Sequence, residues 1–281
     1  MGKVYEALQR AEAERGRRGA PVPGIAATST PVAPSGSARP RPGRFARLLS
    51  WLASLRHPVE VDDANAFNKR RIALLQPESF VAEQFRSLRA RLDALAAERP
   101  TRTIAVTSAM PGEGKTTAAL NLALVTSMSL GRRVLLVDCD LRRPKVHVAL
   151  GLQPEYGLAE VLTGDAPLDR AVMKVDGTNL EVLPVRGTPS NPSELLGSEQ
   201  MRVLVEELAR SYDQIIFDTP PTLAMPDAKT VSELVDGLVF VVRADQTPQD
   251  DVAAALDILD RRRILGVVLN GTDAQPQRYG Y

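Results

Sequence analysis

The sequence predicts an α/β fold, a mostly parallel sheet with helices on both faces, preceded by a partly disordered N-terminal arm. Three observations predict it. Short, near-continuous Val/Ile/Leu runs recur between residues 103 and 270, separated by helical periodicities, and runs of that kind mark strands buried on both faces. Residues 1–57 carry ten Lys/Arg against three Asp/Glu in a chain of net charge +1, so a basic arm precedes a mildly acidic body. The 281 residues suffice for one α/β domain of about 200 residues plus additional sequence.

The arm comes first. Residues 1–15 read as a short helix with Val4, Leu8 and Ala11 on one face. Residues 16–43 are rich in Pro, Gly, Ala, Ser, Thr and Arg without an apolar period, the composition of a disordered linker. In 44–56 a stripe of Phe45, Leu48, Leu49, Leu52 and Leu55 lies beside Trp51 and is flanked by Arg44, Arg47 and Arg56. A basic amphipathic helix of this kind suits a membrane surface, or packs on a partner protein or on the domain itself. Residues 58–78 read as irregular.

The body follows. Ser79 caps a helix over 79–98, with Val81, Phe85, Leu88, Leu92 and Leu95 on one face, and Pro100 stops it. Strand 103–108, helix 116–130 ended by Gly131, strand 134–138 and a shorter strand 179–185 come next. Helix 193–210, strands 214–218 and 237–242, helix 249–262 and strand 264–270 complete the pattern. The expected division is an arm over 1–75, a catalytic-type body over 76–271 and a flexible tail over 272–281.

Composition narrows the setting. The single cysteine, Cys139, forms no intrachain disulfide and fits a reducing cytosol. No apolar run approaches the roughly 20 residues that span a bilayer, and the N-terminus lacks the features of a secretory signal. The expectation is a cytoplasmic protein, recruited to the inner face of the cell membrane. The arm has little aromatic interleaving and no nucleic-acid motif, so anionic lipid or an acidic protein face is the expected partner, and no nucleic acid.

Between strand 103–108 and helix 116–130 lies Ser108-Ala-Met-Pro-Gly-Glu-Gly-Lys-Thr-Thr117, which matches G-x-x-x-x-G-K-[ST] with Ala109 in place of the first Gly. Gly112 and Gly114 let the backbone curl so that its N–H groups, with the N-terminus of the helix, face phosphate oxygens. Lys115 would reach the β- and γ-phosphates and the Thr116 hydroxyl would hold Mg²⁺. Gly112, Glu113, Gly114, Lys115, Thr116 and Thr117 are therefore the candidate nucleotide contacts. A strand, this loop and a helix in succession mark a P-loop NTPase, with ATP and Mg²⁺ as cofactors.

A metal held with phosphates needs carboxylates at neighbouring strand ends. Asp218 closes the strand 214–218, and Asp138 closes 134–138 with Asp140 two residues on. Thr116, Asp138 and Asp218 are the candidate metal ligands. The bland alternative for each acid is helix capping or a solvated surface.

SAMPGEGKTT, VLLVDCDLRRP and IIFDTPP, in this order and spacing, resemble the Walker A, Walker A′ and Walker B motifs of the bacterial protein-tyrosine kinases (BY-kinases), which are built on the P-loop ATPase fold. NPSELLGSEQM at 191–201 and GLAEVLTG at 157–164 resemble further stretches of that family, and the resemblance covers about residues 75–271. The opening MGKVYEALQRAEAER resembles the start of exosortase-associated members. The resemblance implies a non-specific protein-tyrosine kinase regulating exopolysaccharide synthesis and export.

Residue by residue, it implies nucleotide and metal binding by Lys115 and Thr116. Asp138 would be the base that accepts the tyrosine proton, and Asp140 would help organise Mg²⁺ and the incoming tyrosine. Asp218 would bind metal. Arg142 or Arg143 would meet charge on the transferring phosphoryl group or on an acidic acceptor segment, or stay solvated or ion-paired on the surface, and Asn270 would read adenine. Glu83, Arg86 and Arg89 fit the family's Glu-x-x-Arg-x-x-Arg oligomerisation motif, which builds a homo-oligomeric ring. Tyr279 and Tyr281 would be the acceptors, phosphorylated in trans, and a membrane protein of the chain-length-determinant kind would be the activator. Two other readings stay open: a ParA/MinD-like partitioning or division-site ATPase, and a non-catalytic ATP-switched scaffold. The first usually carries a second lysine early in the phosphate loop, which Ser108-Ala109-Met110-Pro111 lacks.

Overall fold

The computed structural model describes residues 71–129 and 131–272. The readings for 1–57 and for Tyr279 and Tyr281 lie outside the described residues.

The chain enters through α1 (Ile72–Leu75) and α2 (Phe80–Glu98) and reaches β1 (Thr103–Ser108). It continues through α3 (Lys115–Ser127) to β2 (Val134–Asp138). Three short helices follow, α4 (Val146–Leu150), α5 (Leu158–Thr163) and α6 (Leu168–Ala171), then β3 (Met173–Lys174) and β4 (Leu180–Leu183). After α7 (Pro192–Leu196) and α8 (Glu199–Ser211) come β5 (Gln214–Asp218), α9 (Asp227–Leu234) and β6 (Gly237–Arg243). α10 (Gln249–Ile258) and a 3₁₀ turn (Arg261–Arg263) lead to β7 (Ile264–Asn270).

The seven strands lie in the order β3-β4-β2-β5-β1-β6-β7. All neighbours are parallel except β3 and β4. β5 therefore lies between β1 and β2, and the register sets Asp138 directly opposite Asp218.

Two apolar cores lie on opposite faces of the sheet. Successive strand side chains point to opposite faces, so Ile215 and Phe217 of β5 enter one core while Ile216 enters the other. Leu135 and Val137 join the first, Val134 and Leu136 the second. α3 is buried continuously from Ala118 to Ser127, which is why its sequence is apolar on every side. α2 covers it with Ala82 and Leu92 buried and Phe85 and Leu88 packed against the same core, whereas Val81 and Leu95 are exposed. The expected five-residue apolar face is therefore rotated toward Ala82.

The predicted helix 193–210 is two helices. Ser198 takes an extended backbone and its hydroxyl accepts the Met201 N–H, so it ends one helix and caps the next. The predicted helix 249–262 stops at Ile258, and Asp260 caps the 3₁₀ turn by accepting the Arg262 N–H. β3, the short helices between β2 and β4, and α9 were not predicted, and α1 lies within the stretch 58–78 that was read as irregular.

Candidate active site

The phosphate loop leaves the buried end of β1 and turns into α3 through Gly112 (φ 84°) and Gly114 (φ 99°). These left-handed conformations favour glycine and curl the backbone ahead of the N-terminus of α3. The loop is braced from outside. Glu113 is 2 % exposed; its Oε2 accepts the Met110 N–H at 3.0 Å and its Oε1 accepts the Thr247 hydroxyl at 2.5 Å. Thr247 in turn accepts the Arg243 N–H at 3.0 Å, and the Arg243 guanidinium donates to the Gly112 carbonyl at 3.2 Å. The Asn270 amide donates to the Glu113 carbonyl at 2.8 Å. The Glu113 side chain thus holds the loop's shape, so any phosphate contact from this residue comes through its backbone. Asn270 stands at the loop rather than apart from it.

Below the loop, one ammonium faces three acids. Lys115 Nζ donates to Asp140 Oδ2 at 3.1 Å and to Thr116 Oγ1 at 3.3 Å, and stands 3.9 Å from Asp218 Oδ1. All three acids are buried, with Asp138 and Asp218 at 0 % exposure and Asp140 at 6 %. Burial opposes the charge on Lys115, but Asp218 and Asp140 outweigh it and hold the ammonium protonated well above the usual lysine range. Burial pushes Asp218 up to about 6, against the pull of Lys115 and Thr116. Burial, then the charges of Asp218 and Asp140, push Asp138 well above the ordinary carboxylate value.

The three acids differ in what occupies them. Asp138 Oδ1 accepts the Asp140 N–H, and its Oδ2 accepts those of Lys145 and Val146. It therefore ties down the segment after β2. Asp140 receives Lys115 on one oxygen and the Arg143 N–H on the other. Neither carboxylate oxygen of Asp218 has a hydrogen-bond partner, although both are buried. Burying such a carboxylate is costly unless a cation or donor meets it.

This arrangement fits Mg²⁺ with a nucleotide. Three carboxylates against one lysine leave an excess of negative charge, and Asp218 and Thr116 offer hard oxygens beside the loop. Among the described residues no cluster of three or more His, Cys, Asp or Glu side chains forms a metal cage by itself. Mg²⁺ is typically completed by substrate phosphates and water rather than by an all-protein cage.

A model of the AAA domain family matches residues 101–247. Tyrosine-protein kinase YwqD of Bacillus subtilis is 38% identical over 213 residues, covering 75% of this chain and 90% of that protein. The chain belongs to the bacterial tyrosine-protein kinases. Succinoglycan biosynthesis transport protein ExoP of Rhizobium meliloti is 35% identical over 78% of this kinase-family chain, which spans 28% of ExoP. Among solved structures, the kinase domain of Escherichia coli tyrosine kinase ETK superposes with TM-score 0.69 and 32% identity, over 82% of this chain and 91% of that one. The septum site-determining protein MinD of Pyrococcus horikoshii, complexed with Mg-ADP, gives TM-score 0.51 and 28% identity over 60% of this chain and 70% of its own. The shared fold is that of P-loop NTPases.

Within this kinase framework, the structure brings Lys115, Thr116, Asp138, Asp140 and Asp218 together and sets Asn270 on the loop. Arg142 is not directed at a bare carboxylate of the site; it is paired with Asp227. On α2, Arg86 pairs with Glu83 of its own helix at 2.8 Å on an exposed face. Arg89 turns inward instead and donates to the Val125 carbonyl at 2.9 Å and to the Ser129 hydroxyl at 2.8 Å. Sequence reasoning missed Arg243, Thr247, Ser193 and Asp227. Ser193 stands in the Asn-Pro-Ser-Glu-Leu-Leu stretch, but nothing in its local sequence points to its partners.

Proposed function

We propose that the protein is a Mg·ATP-dependent tyrosine autokinase that regulates exopolysaccharide synthesis and export. The observation that carries this is the meeting of one lysine, three buried carboxylates and a curled glycine loop at the ends of β1, β2 and β5, with the Asp218 oxygens facing the Lys115 ammonium but accepting no hydrogen bond. The names of YwqD and ExoP support the tyrosine chemistry and the polysaccharide setting.

In this reading the loop amides and Lys115 hold the phosphates. Thr116 and Asp218 would hold Mg²⁺, which would neutralise charge on the transferring group. Asp138 takes the proton of the attacking tyrosine hydroxyl as the bond from the γ-phosphorus to the bridging oxygen breaks and ADP leaves. Asp140 keeps Lys115 aimed into the site.

The acceptors are Tyr279 and Tyr281, presented in trans by a neighbouring subunit of an oligomeric ring. Glu83 and Arg86 lie on an exposed face of α2, open to a subunit contact, and Arg89 anchors that helix from behind. A membrane protein activates the ring, and residues 44–56 contact the membrane surface. Among the described residues no helix is long and apolar enough to cross a membrane. The lower TM-score with MinD than with the ETK kinase domain favours the kinase over a division-site ATPase.

The test is mass spectrometry of the peptide bearing Tyr279 and Tyr281, from native cells and from cells carrying Lys115→Met. Phosphate on the unaltered protein alone is the expected result. Phosphate on both would mean that another kinase acts on the tail. Phosphate on neither, in cells exporting polysaccharide, would leave a nucleotide-switched scaffold.

A further inference from the structure

Arg142 follows Asp140 by two residues, and its side chain enters a closed ring of polar contacts. Its Nε donates to Asp227 Oδ2 at 2.9 Å and its Nη2 donates to the Ser193 hydroxyl at 2.8 Å. That hydroxyl donates to the other Asp227 oxygen, Oδ1, at 2.5 Å. Asp227 is 1 % exposed. Both of its oxygens and two arms of the guanidinium are thereby used. The backbone carbonyl of Arg142 also accepts the Thr188 hydroxyl at 3.4 Å.

The ring joins three segments that are distant in sequence. Arg142 lies in the loop after β2, Ser193 in the first turn of α7 after β4, and Asp227 in the first turn of α9 after β5. β4, β2 and β5 are neighbours in the sheet, so the ring spans the segments that leave three adjacent strand ends. The loop after β2 is also tied from inside, where Asp138 accepts the N–H groups of Asp140, Lys145 and Val146. It is thus fixed at two points, and Asp140 lies between them with its carboxylate on Lys115.

We propose that Arg142, Ser193 and Asp227 form a latch that sets the position of the loop after β2, and so of Asp140 against Lys115. Under the kinase reading, on which this rests, they are positioning residues for phosphoryl transfer and do not touch the nucleotide. The guanidinium is needed as a two-point donor, so a lysine does not replace it. A misplacement of about an ångström at the acid is enough to cost on the order of a hundredfold in rate. Nucleotide affinity, set by the phosphate loop and its separate brace, is left largely intact.

The experiment compares full-length protein with Asp227→Asn, Ser193→Ala, Arg142→Lys, Arg142→Met and the double variant Arg142→Met/Asp227→Asn. Three readouts are taken: binding of a fluorescent ATP analogue, tyrosine phosphorylation rate, and amide hydrogen exchange across 139–146. Asp227→Asn and both single Arg142 variants are expected to speed exchange in that segment at least tenfold and to slow phosphorylation ten- to hundredfold. Binding should change less than threefold, the double variant should be no slower than the worse single variant, and Ser193→Ala should fall in between. A direct role for Arg142 would instead leave Asp227→Asn near the unaltered rate while Arg142→Met loses activity, and this overturns the proposal. Unchanged exchange over 139–146 in Asp227→Asn overturns it too. If the unaltered protein phosphorylates no tyrosine, the kinase reading fails, yet the exchange readout still decides the latch. Should Asp227→Asn fail to fold, Ser193→Ala and Arg142→Lys carry the same exchange test.

Discussion

The amide nitrogen of Asn270 occupies the space that a side chain at Gly114 would need. A Cβ built on Gly114 would come within 2.0 Å of it. The last strand of the sheet therefore presses on the phosphate loop at the point where the loop becomes a helix. Gly114 also holds φ at 99°, where other residues are strained whatever the space. Gly114→Ala should weaken ATP binding at least a hundredfold. Gly114→Ala/Asn270→Ala should recover only part of that loss, because the contact is relieved and the backbone conformation is not. Titration with a fluorescent nucleotide checks both; full recovery in the double variant would show that the close contact alone matters.

The brace between Thr247 and Glu113 is tested separately. Thr247→Val keeps the shape of the side chain but removes the donor to Glu113 and the acceptor for the Arg243 N–H. A loosened loop should raise the dissociation constant for ATP about five- to thirtyfold, which corresponds to about 1–2 kcal/mol. Isothermal titration calorimetry measures it, with the melting temperature as a control for unfolding.

Asp218 gives a stability prediction with a pH signature. Its carboxyl is raised from 3.8 to about 6, so the folded state holds that proton more tightly than the unfolded state. Its share of stability in metal-free buffer is present at low pH and is lost as pH rises from about 4 to about 6. Asp218→Asn, neutral at every pH, keeps that share and abolishes its loss at higher pH. The variant should gain on the order of 1–3 kcal/mol over the unaltered protein at pH ~8 and little at pH ~3.5. Urea unfolding with a chelator present decides, and an equal difference at both pH values would count against the assignment.

Arg86 and Arg89 separate assembly from folding. Arg86→Ala breaks an exposed pair with Glu83 and should change stability by less than about 0.5 kcal/mol. Arg89→Ala removes two charge-assisted contacts at the end of α3 and should cost about 1.5–3 kcal/mol. If the exposed face of α2 builds the ring, light scattering will show a smaller assembly for Arg86→Ala at unchanged melting temperature. An unaltered mass would remove Arg86 from the interface.

The strands were legible in the sequence because their signal is local: three or four consecutive apolar residues ending in Asp218 or Asp138 announce both the strand and its acid. The phosphate loop was legible for the same reason. Its brace was not, since Glu113 and Thr247 are 134 residues apart, and neither is unusual in its own neighbourhood. Asp227 and Arg142, 85 residues apart, were hidden likewise. Helices of four to six residues, as in α4, α5 and α6, are too short to show a 3.6-residue period. The break at Gly197-Ser198 did leave a signal, a serine able to cap, which the surrounding helical pattern masked. Arg89 shared its motif with Glu83 and Arg86, yet only the fold shows that it points the other way.

The strand order has a consequence for the order of synthesis. β1 and β2 are made early, but they do not touch; β5 has to enter between them. Until residue 218 has emerged, the nascent chain carries two apolar strands with open edges facing a missing centre, and such edges invite pairing with other chains. Asp218 arrives with the same strand that closes the gap. The final strand, which brings Asn270 onto the loop, comes later still. The metal-binding end of the site and the centre of the sheet are thus completed by the same strand, and until it arrives the half-made protein presents open edges.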